Sequence, residues 1–347
     1  MKHLNAGLAL ALLLAGNATV ATAQQRMTQS CDVNPEVEVY IENTSGSVTV
    51  EAWDQPKLEM NAEYENGVKE LKFEVDEDSV MIDVEAPRGG GNITAHIRVR
   101  MPSQGNLTVK AVSAKVEVTG IGGDLDIETT SGKVLLAGNC RTLEVETVSG
   151  GIESQCNAET LKLEAVSGGI QNLGGADEVS LETVSGKITH VGRAGQMKAM
   201  TVSGGIDAQG AIGDLVGETV SGKVAIAGLE RSISFSTVSG GMNIAANTPE
   251  DVSLETISGT ITYNGSLDED GELEVDSRSG GLNLTLPETL NATYELSTFS
   301  GSIRNDFGPR PVRAEFGPGV SLRFVMGTGS ADVQAEAFSA SVSLLRK

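Results

Sequence analysis

"ETVSGGI" at residues 146–152 decides the fold, because nearly the same heptapeptide returns at a fixed interval along the chain. It reappears as "EAVSGGI" at 164–170 and as "ETVSGKI" at 182–188. A step of 18 residues separates the serines of these copies, which are Ser131, Ser149, Ser167, Ser185, Ser203, Ser221 and Ser239. Longer steps of 19, 21 and 21 residues then lead to Ser258, Ser279 and Ser300. A register this regular indicates an internal structural repeat.

Apolar residues occupy fixed places in each repeat. They stand six, four and one positions before the serine and three positions after it, with polar residues between them. A spacing of two is typical of a β-strand, whose side chains alternate between its two faces. In the repeat around Ser149 we expect Leu143, Val145, Val148 and Ile152 to point inward and Glu144 and Glu146 to point outward.

Each repeat therefore indicates two strands joined by a sharp corner at Ser-Gly. A unit of 18 residues has too few apolar side chains to fold alone, so neighbouring units must stack. The sequence predicts an all-β fold, a single-stranded β-solenoid (β-helix) with coils of about 18 residues and a right-handed turn. Parallel strands of successive coils would lie about 4.8 Å apart. Glycine at the corner indicates a backbone with positive φ or one without room for a Cβ.

The start of the chain is typical of a secretory signal peptide. An apolar run, "AGLALALLLAG", precedes the small residues "ATA" at 21–23, and it is too short to span a bilayer. We expect residues 1–23 to be removed on export, with no transmembrane segment in the chain that remains.

One elongated domain is expected over 24–347. We predict irregular N-terminal coils at 32–110, regular coils of 18–21 residues at 111–303, and a C-terminal cap and last coil at 304–347. Phe307, Phe316 and Phe324 are expected to cover the C-terminal edge, which would otherwise recruit further strands.

Composition restricts the classes of partner. The formal net charge of −22 argues against nucleic acid and anionic lipid, both of which bind lysine and arginine. Three cysteines do not make a disulfide framework in 347 residues. Cys140 and Cys156 fall in turns of adjacent coils, so a disulfide between them is geometrically possible, with Cys31 free.

An acidic column is the clearest candidate for a binding surface. Three positions before the serines stand Glu128, Glu146, Glu164, Glu182, Glu218 and Glu255. Carboxylates one strand spacing apart repel each other, and a bound cation would relieve that repulsion. The interpretation that we prefer is that the column is hydrated and screened, partly by Lys162 and Lys198. The neighbouring Lys133, Lys187 and Lys223 would belong to the same functional surface.

Catalytic chemistry has little support in the sequence. His190 and Arg193 could form a small anion site, but an exposed turn is the simpler interpretation. The pattern is interrupted by Met200 in the acidic column and by Gly217 in an apolar column. None of these positions combines an acid, a base and a nucleophile, so we expect neither an enzyme nor a cofactor.

Three segments resemble a known bacterial family. They are "IENTSGSVTVEAWD" at 41–54, the stretch from "IRVRMPSQGNLTVKAVSAKVEVTG" to "DLDIETTSGKV" within 97–134, and the closing "GTGSADVQAEAFSASVSLL". Together they are similar to DUF4097, whose members are described as candidate adhesins with β-strand repeats. The resemblance implies a repetitive β-fold, and it implies no catalytic residues.

Two functions follow as expectations. The first is a non-enzymatic exported protein of the periplasm, cell surface or extracellular space of a bacterium, an adhesin-like binding protein or scaffold. Its partner would be an envelope or surface protein or polysaccharide. The alternative is a β-helix enzyme that acts on envelope or extracellular polysaccharide. The scarcity of histidine and of clustered Asp and Arg favours the first.

Overall fold

The computed structural model of the chain describes residues 25–65, 67–87 and 93–347. The expected signal peptide, residues 1–23, lies outside them. The described residues form 28 strands of one hydrogen-bonded sheet, which confirms the all-β class. No helix among the described residues is long and apolar enough to cross a membrane.

Strands of the N-terminal part run in both directions. They are β1 (Gln25–Asp32), β2 (Glu38–Trp53), β3 (Lys57–Tyr64), β4 (Glu70–Val75), β5 (Ser79–Glu85), β6 (Ala95–Pro102) and β7 (Asn106–Thr119). β2 pairs in parallel with β5 and β6 on one side and with β7 on the other. Three pairs are antiparallel: β1 with β3, β3 with β6, and β4 with β5. The chain therefore leaves β2, builds the end of the stack, and returns to the other side of β2.

The central part contains the regular repeats. Its strands are β8 (Asp124–Thr129), β9 (Val134–Asn139), β10 (Thr142–Thr147), β11 (Ile152–Ala165), β12 (Ile170–Asn172), β13 (Ala176–Thr183), β14 (Ile188–Val191), β15 (Ala194–Ser203), β16 (Ile206–Ser221), β17 (Val224–Ser239), β18 (Met242–Ala246), β19 (Asp251–Ser258), β20 (Ile261–Asn264), β21 (Glu272–Ser279) and β22 (Leu282–Leu286). From β8 to β20, each strand pairs in parallel with the equivalent strand of the next repeat, as Leu143 does with Leu161 and Val145 with Leu163. The repeat predicted from the sequence is thus the unit of parallel pairing.

The chain ends with an inserted pair of strands. The last strands are β23 (Ala292–Thr298), β24 (Ile303–Asn305), β25 (Val312–Arg313), β26 (Val320–Val325), β27 (Ala331–Ala337) and β28 (Val342–Arg346). β27 lies between β21 and β23, and β28 lies between β22 and β24. The expected uninterrupted stack up to residue 303 is therefore wrong at this end, because the C-terminal segment occupies the place next to β21 and β22.

Aromatic side chains cover this end only in part. Tyr294 stacks on Phe324 with ring centroids 4.6 Å apart and contacts Phe307 at 5.7 Å. Phe307 and Phe324 therefore pack as predicted. Phe316 is 88% exposed, so the prediction that it covers the edge is wrong.

Buried apolar columns form the core. Leu143, Val145 and Ile152 are fully buried, as predicted. Val148 is 48% exposed, so its predicted inward position is wrong. The reason is the strand period: Val148 lies three residues after Val145, and strict alternation instead buries the intervening Thr147.

The corner glycines are required by close packing of the coils. A Cβ on Gly150 would overlap the carbonyl oxygen of Gly132, and a Cβ on Gly168 would overlap that of Gly150. Neither glycine has a positive φ. Glycine is therefore required at this corner because there is no room for a Cβ, and a positive φ is not the reason.

Candidate functional site

A long groove runs along one outer face of the stack. Its volume is about 780 Å³. It crosses nine successive parallel strands, from the one that carries Asp83 to the one that carries Glu218. At about 4.8 Å per strand, its length is about 38 Å. We call this feature the groove.

One wall of the groove is acidic. It contains seven carboxylates and one lysine, namely Asp83, Glu42, Lys110, Glu128, Glu146, Glu164, Glu182 and Glu218, with Met200 interrupting the series. Parallel pairing holds these residues in register, since Glu146 lies opposite Glu128 on one side and Glu164 on the other. Five of the six glutamates predicted as an acidic column thus line the groove, and Glu255 lies beyond it.

The opposite wall is aliphatic. It contains Val112, Val148, Val166, Val184, Val202 and Val220, each between 41% and 49% exposed, with Thr130 at the equivalent place of one repeat. Two further members of this row, Val238 and Ile257, extend it beyond the groove. Exposed single valines are ordinary on protein surfaces, whereas a continuous row of them is typical of a contact surface.

Strand alternation produces these two walls. The glutamate three positions before each serine and the valine one position before it both point outward. The threonine between them points inward, where its hydroxyl contacts the backbone of the corner. Thr147 accepts a hydrogen bond from the Gly150 amide at 2.9 Å, and Thr183 donates one to the Gly168 carbonyl at 3.1 Å. At these corners the buried threonine makes the hydrogen bond, whereas the hydroxyls of Thr219, Thr237 and Thr256 have no hydrogen-bond partner among the described residues.

Lysines neutralise part of the acidic wall. Lys110 lies 3.1 Å from Glu128, and Lys162 lies 3.0 Å from Glu164 and 3.7 Å from Glu146. Lys198 lies 2.6 Å from Glu182. These pairs agree with the screening predicted from the sequence. Hydrogen bonds to Glu144 and Glu164 raise the pKa of Lys162.

Asp83 and Glu218 stand at opposite ends of the acidic wall. Desolvation, together with the neighbouring Glu42 carboxylate, raises the pKa of Asp83. Glu218 forms no ion pair among the described residues. The wall therefore keeps an excess of negative charge although lysines are interspersed along it.

The other lysines predicted for this surface lie elsewhere. Lys133 pairs with Glu153 at 2.7 Å, and Lys187 pairs with Asp207 at 3.1 Å. Both stand beyond the Ser-Gly corner, on the second face of the coil, and Lys223 is at the equivalent place. The interpretation that these lysines share a surface with the acidic column is wrong, because the corner separates them.

His190 is buried and does not form part of an exposed turn. It points inward, two residues after Ile188, and hydrogen-bonds to the Asn172 side chain at 3.1 Å. Desolvation lowers its pKa to about 4. Arg193 points away and pairs with Asp177 at 2.8 Å. The anion site considered for His190 and Arg193 and the exposed turn that we preferred are both wrong.

Two buried thiols lie in neighbouring repeats of the stack. Cys140 and Cys156 are both buried and free, and Cys31 is also free. A hydrogen bond between the two buried thiols, together with burial, raises the pKa of Cys140. A disulfide between Cys140 and Cys156 stays a prediction.

The groove offers binding chemistry more than catalysis. The residues that line it include no histidine, cysteine or serine. Across the part of the chain that the structure describes, no group of three or more His, Cys, Asp or Glu side chains has the arrangement of a metal site. The repeated glutamates stand in a row along one wall, so they do not converge on one point.

Solved structures give weak likenesses to the chain. A candidate adhesin from Bacteroides fragilis is 14% identical, with 70% of this chain and 97% of that chain covered and a TM-score of 0.38. A candidate adhesin from Parabacteroides merdae is 11% identical, with 78% and 94% covered and a TM-score of 0.35. A candidate lipid-binding protein from Parabacteroides distasonis is 15% identical, with 69% and 96% covered and a TM-score of 0.33. A TM-score below 0.5 does not establish a shared fold.

Sequence families give a firmer match. No curated protein matches the chain. Residues 176–315 match the family described as Toastrack DUF4097, and they include the regular repeats from β13 onward. The resemblance predicted from the sequence is therefore confirmed: residues 176–315 of this chain match the DUF4097 family.

Proposed function

We propose that this protein is a non-enzymatic, adhesin-like binding protein of the bacterial envelope or surface, exported through its N-terminal signal peptide. The groove is the observation that carries this proposal. It repeats the same two walls over nine strands, which suits an elongated partner better than a small substrate. Its lining holds no combination of acid, base and nucleophile.

The architecture proposed with this function is a single elongated domain over 24–347, a single-stranded β-solenoid. Parallel pairing of equivalent positions in successive repeats supports it. A right-handed coil is proposed because connections between parallel strands of one sheet are right-handed in about 98% of cases. The groove would then run along the solenoid axis.

Fractionation and a retention assay test the proposal together. We expect the tagged chain in the periplasmic, surface or culture-medium fraction, shortened by its signal peptide. The purified protein should retain material from washed envelopes and should not shorten envelope polysaccharides. Release of new reducing ends, or a cytoplasmic location of the full-length chain, would contradict the proposal.

A further inference from the structure

The two walls of the groove differ in chemistry along its whole length, and this difference specifies a partner. The acidic wall attracts cations, and the valine wall removes aliphatic surface from water. A ligand that satisfies both walls at once needs positive charge along one side and aliphatic groups along the other. It must also be linear, because both walls are straight rows set by parallel register.

We propose that the groove binds an extended basic peptide segment in which lysine or arginine alternates with aliphatic residues. This inference rests on the proposed binding function and names the class of partner. In an extended chain, successive side chains point to opposite sides. A segment lying along the groove therefore directs every cationic side chain to the glutamates and every aliphatic one to the valines.

Length supports the same partner. An extended chain advances about 3.3 Å per residue, so about 11–12 residues cover a groove of about 38 Å. Such a segment carries about six cationic side chains, and the acidic wall holds seven carboxylates and one lysine. Lys110, Lys162 and Lys198 pair with some of these carboxylates, so the net negative charge of the wall is smaller than seven, and it still attracts a cationic segment.

Charge also excludes a second copy of this chain as the occupant. Two copies face to face would place each acidic wall against the other acidic wall or against the other valine wall, and neither arrangement supplies cations to the carboxylates; each chain also has a formal net charge of −22. Like charges placed opposite each other oppose association. The valine row alone would then have to overcome the repulsion.

Binding can be measured with two synthetic twelve-residue peptides, both acetylated and amidated. The first alternates lysine and valine. The second repeats Lys-Lys-Val-Val, so it has the same composition and charge but places both residue types on each side. We expect the alternating peptide to bind at least tenfold more tightly by isothermal titration calorimetry, with an affinity that falls as salt rises. Equal affinities would overturn the proposal.

Variants of the protein test each wall. Glu146→Gln, Glu164→Gln and Glu182→Gln together should weaken binding of the alternating peptide about tenfold and reduce its salt dependence. Val148→Thr, Val166→Thr and Val184→Thr together should weaken it about threefold to tenfold. Thr130 already stands in the valine row, so threonine is compatible with the fold there.

A matched control removes the same charge outside the groove. Glu159→Gln, Glu178→Gln and Glu230→Gln together change three exposed glutamates that do not line it. The control should bind the alternating peptide as the wild type does. If the control loses as much affinity as the variant with Glu146, Glu164 and Glu182 replaced, net charge alone attracts the peptide, and the proposal would fall.

Failure of this inference differs from failure of the proposed function. If the wild type retains envelope material but does not bind the alternating peptide, the basic partner is wrong and the binding function stands. If the wild type retains no envelope material, the binding function falls whatever the peptide does.

Discussion

Gly217 and Phe235 form a coupled pair across neighbouring strands, and substitution at either position tests the register of the stack. Gly217 lies opposite Phe235 in the parallel pairing of β16 with β17. A Cβ built on Gly217 would stand 2.5 Å from Cδ2 of the Phe235 ring and 3.0 Å from the Ala199 carbonyl oxygen. Cε2 of the same ring would lie closer still. Comfortable carbon contacts are about 3.5–4.0 Å, so the ring would have to move by more than about 1 Å.

Gly217→Ala should therefore destabilise the protein by about 1–3 kcal/mol, the usual cost of overpacking a core. Phe235→Leu should remove most of that cost, because leucine occupies this column in other repeats, as Leu163 and Leu181 do. The coupling free energy between the two substitutions should reach about 1–3 kcal/mol. Chemical denaturation followed by circular dichroism measures all four members of the cycle.

Gly151→Ala is the matched control. A Cβ there meets only the Gly169 carbonyl oxygen, at 3.8 Å, so the free energy of unfolding should change by less than about 0.5 kcal/mol. If Gly217→Ala costs the same with and without Phe235→Leu, the two residues are not neighbours, and the assigned register is wrong.

Three further predictions concern the end of the stack and its buried polar groups. Deleting residues 331–347 removes β27 and β28 from between their neighbours, so trypsin should cleave at Arg304 much faster than in the full chain; equal rates would contradict the inserted position. Burial lowers the pKa of His190 to about 4 from 6.5, so stability should be complete above about pH 6.5 and fall by about 3 kcal/mol as the pH drops toward 4. Urea denaturation of His190→Gln should lose this slope, and an unchanged slope would mean that other groups cause it. Non-reducing mass spectrometry of the purified protein should find Cys140 either bridged to Cys156 or free, and a bridge to Cys31 would contradict the register.

Much of the fold can be predicted from the sequence because the 18-residue spacing of the serines gives the length of each coil directly. The strand columns, the corner glycines and the outward glutamates all follow from one alignment on serine. The prediction for Val148 is wrong because it gives the apolar character of valine more weight than the period-two alternation. That alternation would have placed it correctly and would have revealed the aliphatic wall of the groove.

The remaining errors have different physical causes. The insertion of β27 and β28 is a non-local pairing, and nothing in the local pattern of residues 331–346 says which strands they lie between. The prediction of an exposed turn at His190 rests on the polarity of histidine. Its position two residues after Ile188 places it on the inward face of the strand. Gly217 interrupts the apolar column because the ring of Phe235, in the next repeat, occupies the space that a larger side chain would need.

Distances between spin labels along the serine column test the central claim most directly, since the groove exists only if each repeat adds one strand spacing on the same face. The three cysteines would be replaced by serine, and pairs of labels placed at Ser149 with Ser203 and at Ser149 with Ser239. These pairs are three and five repeats apart, which predicts separations of about 14 Å and about 24 Å at about 4.8 Å per repeat. Separations that grow in proportion to the number of repeats agree with the account. A distance for the five-repeat pair no longer than that for the three-repeat pair would contradict it.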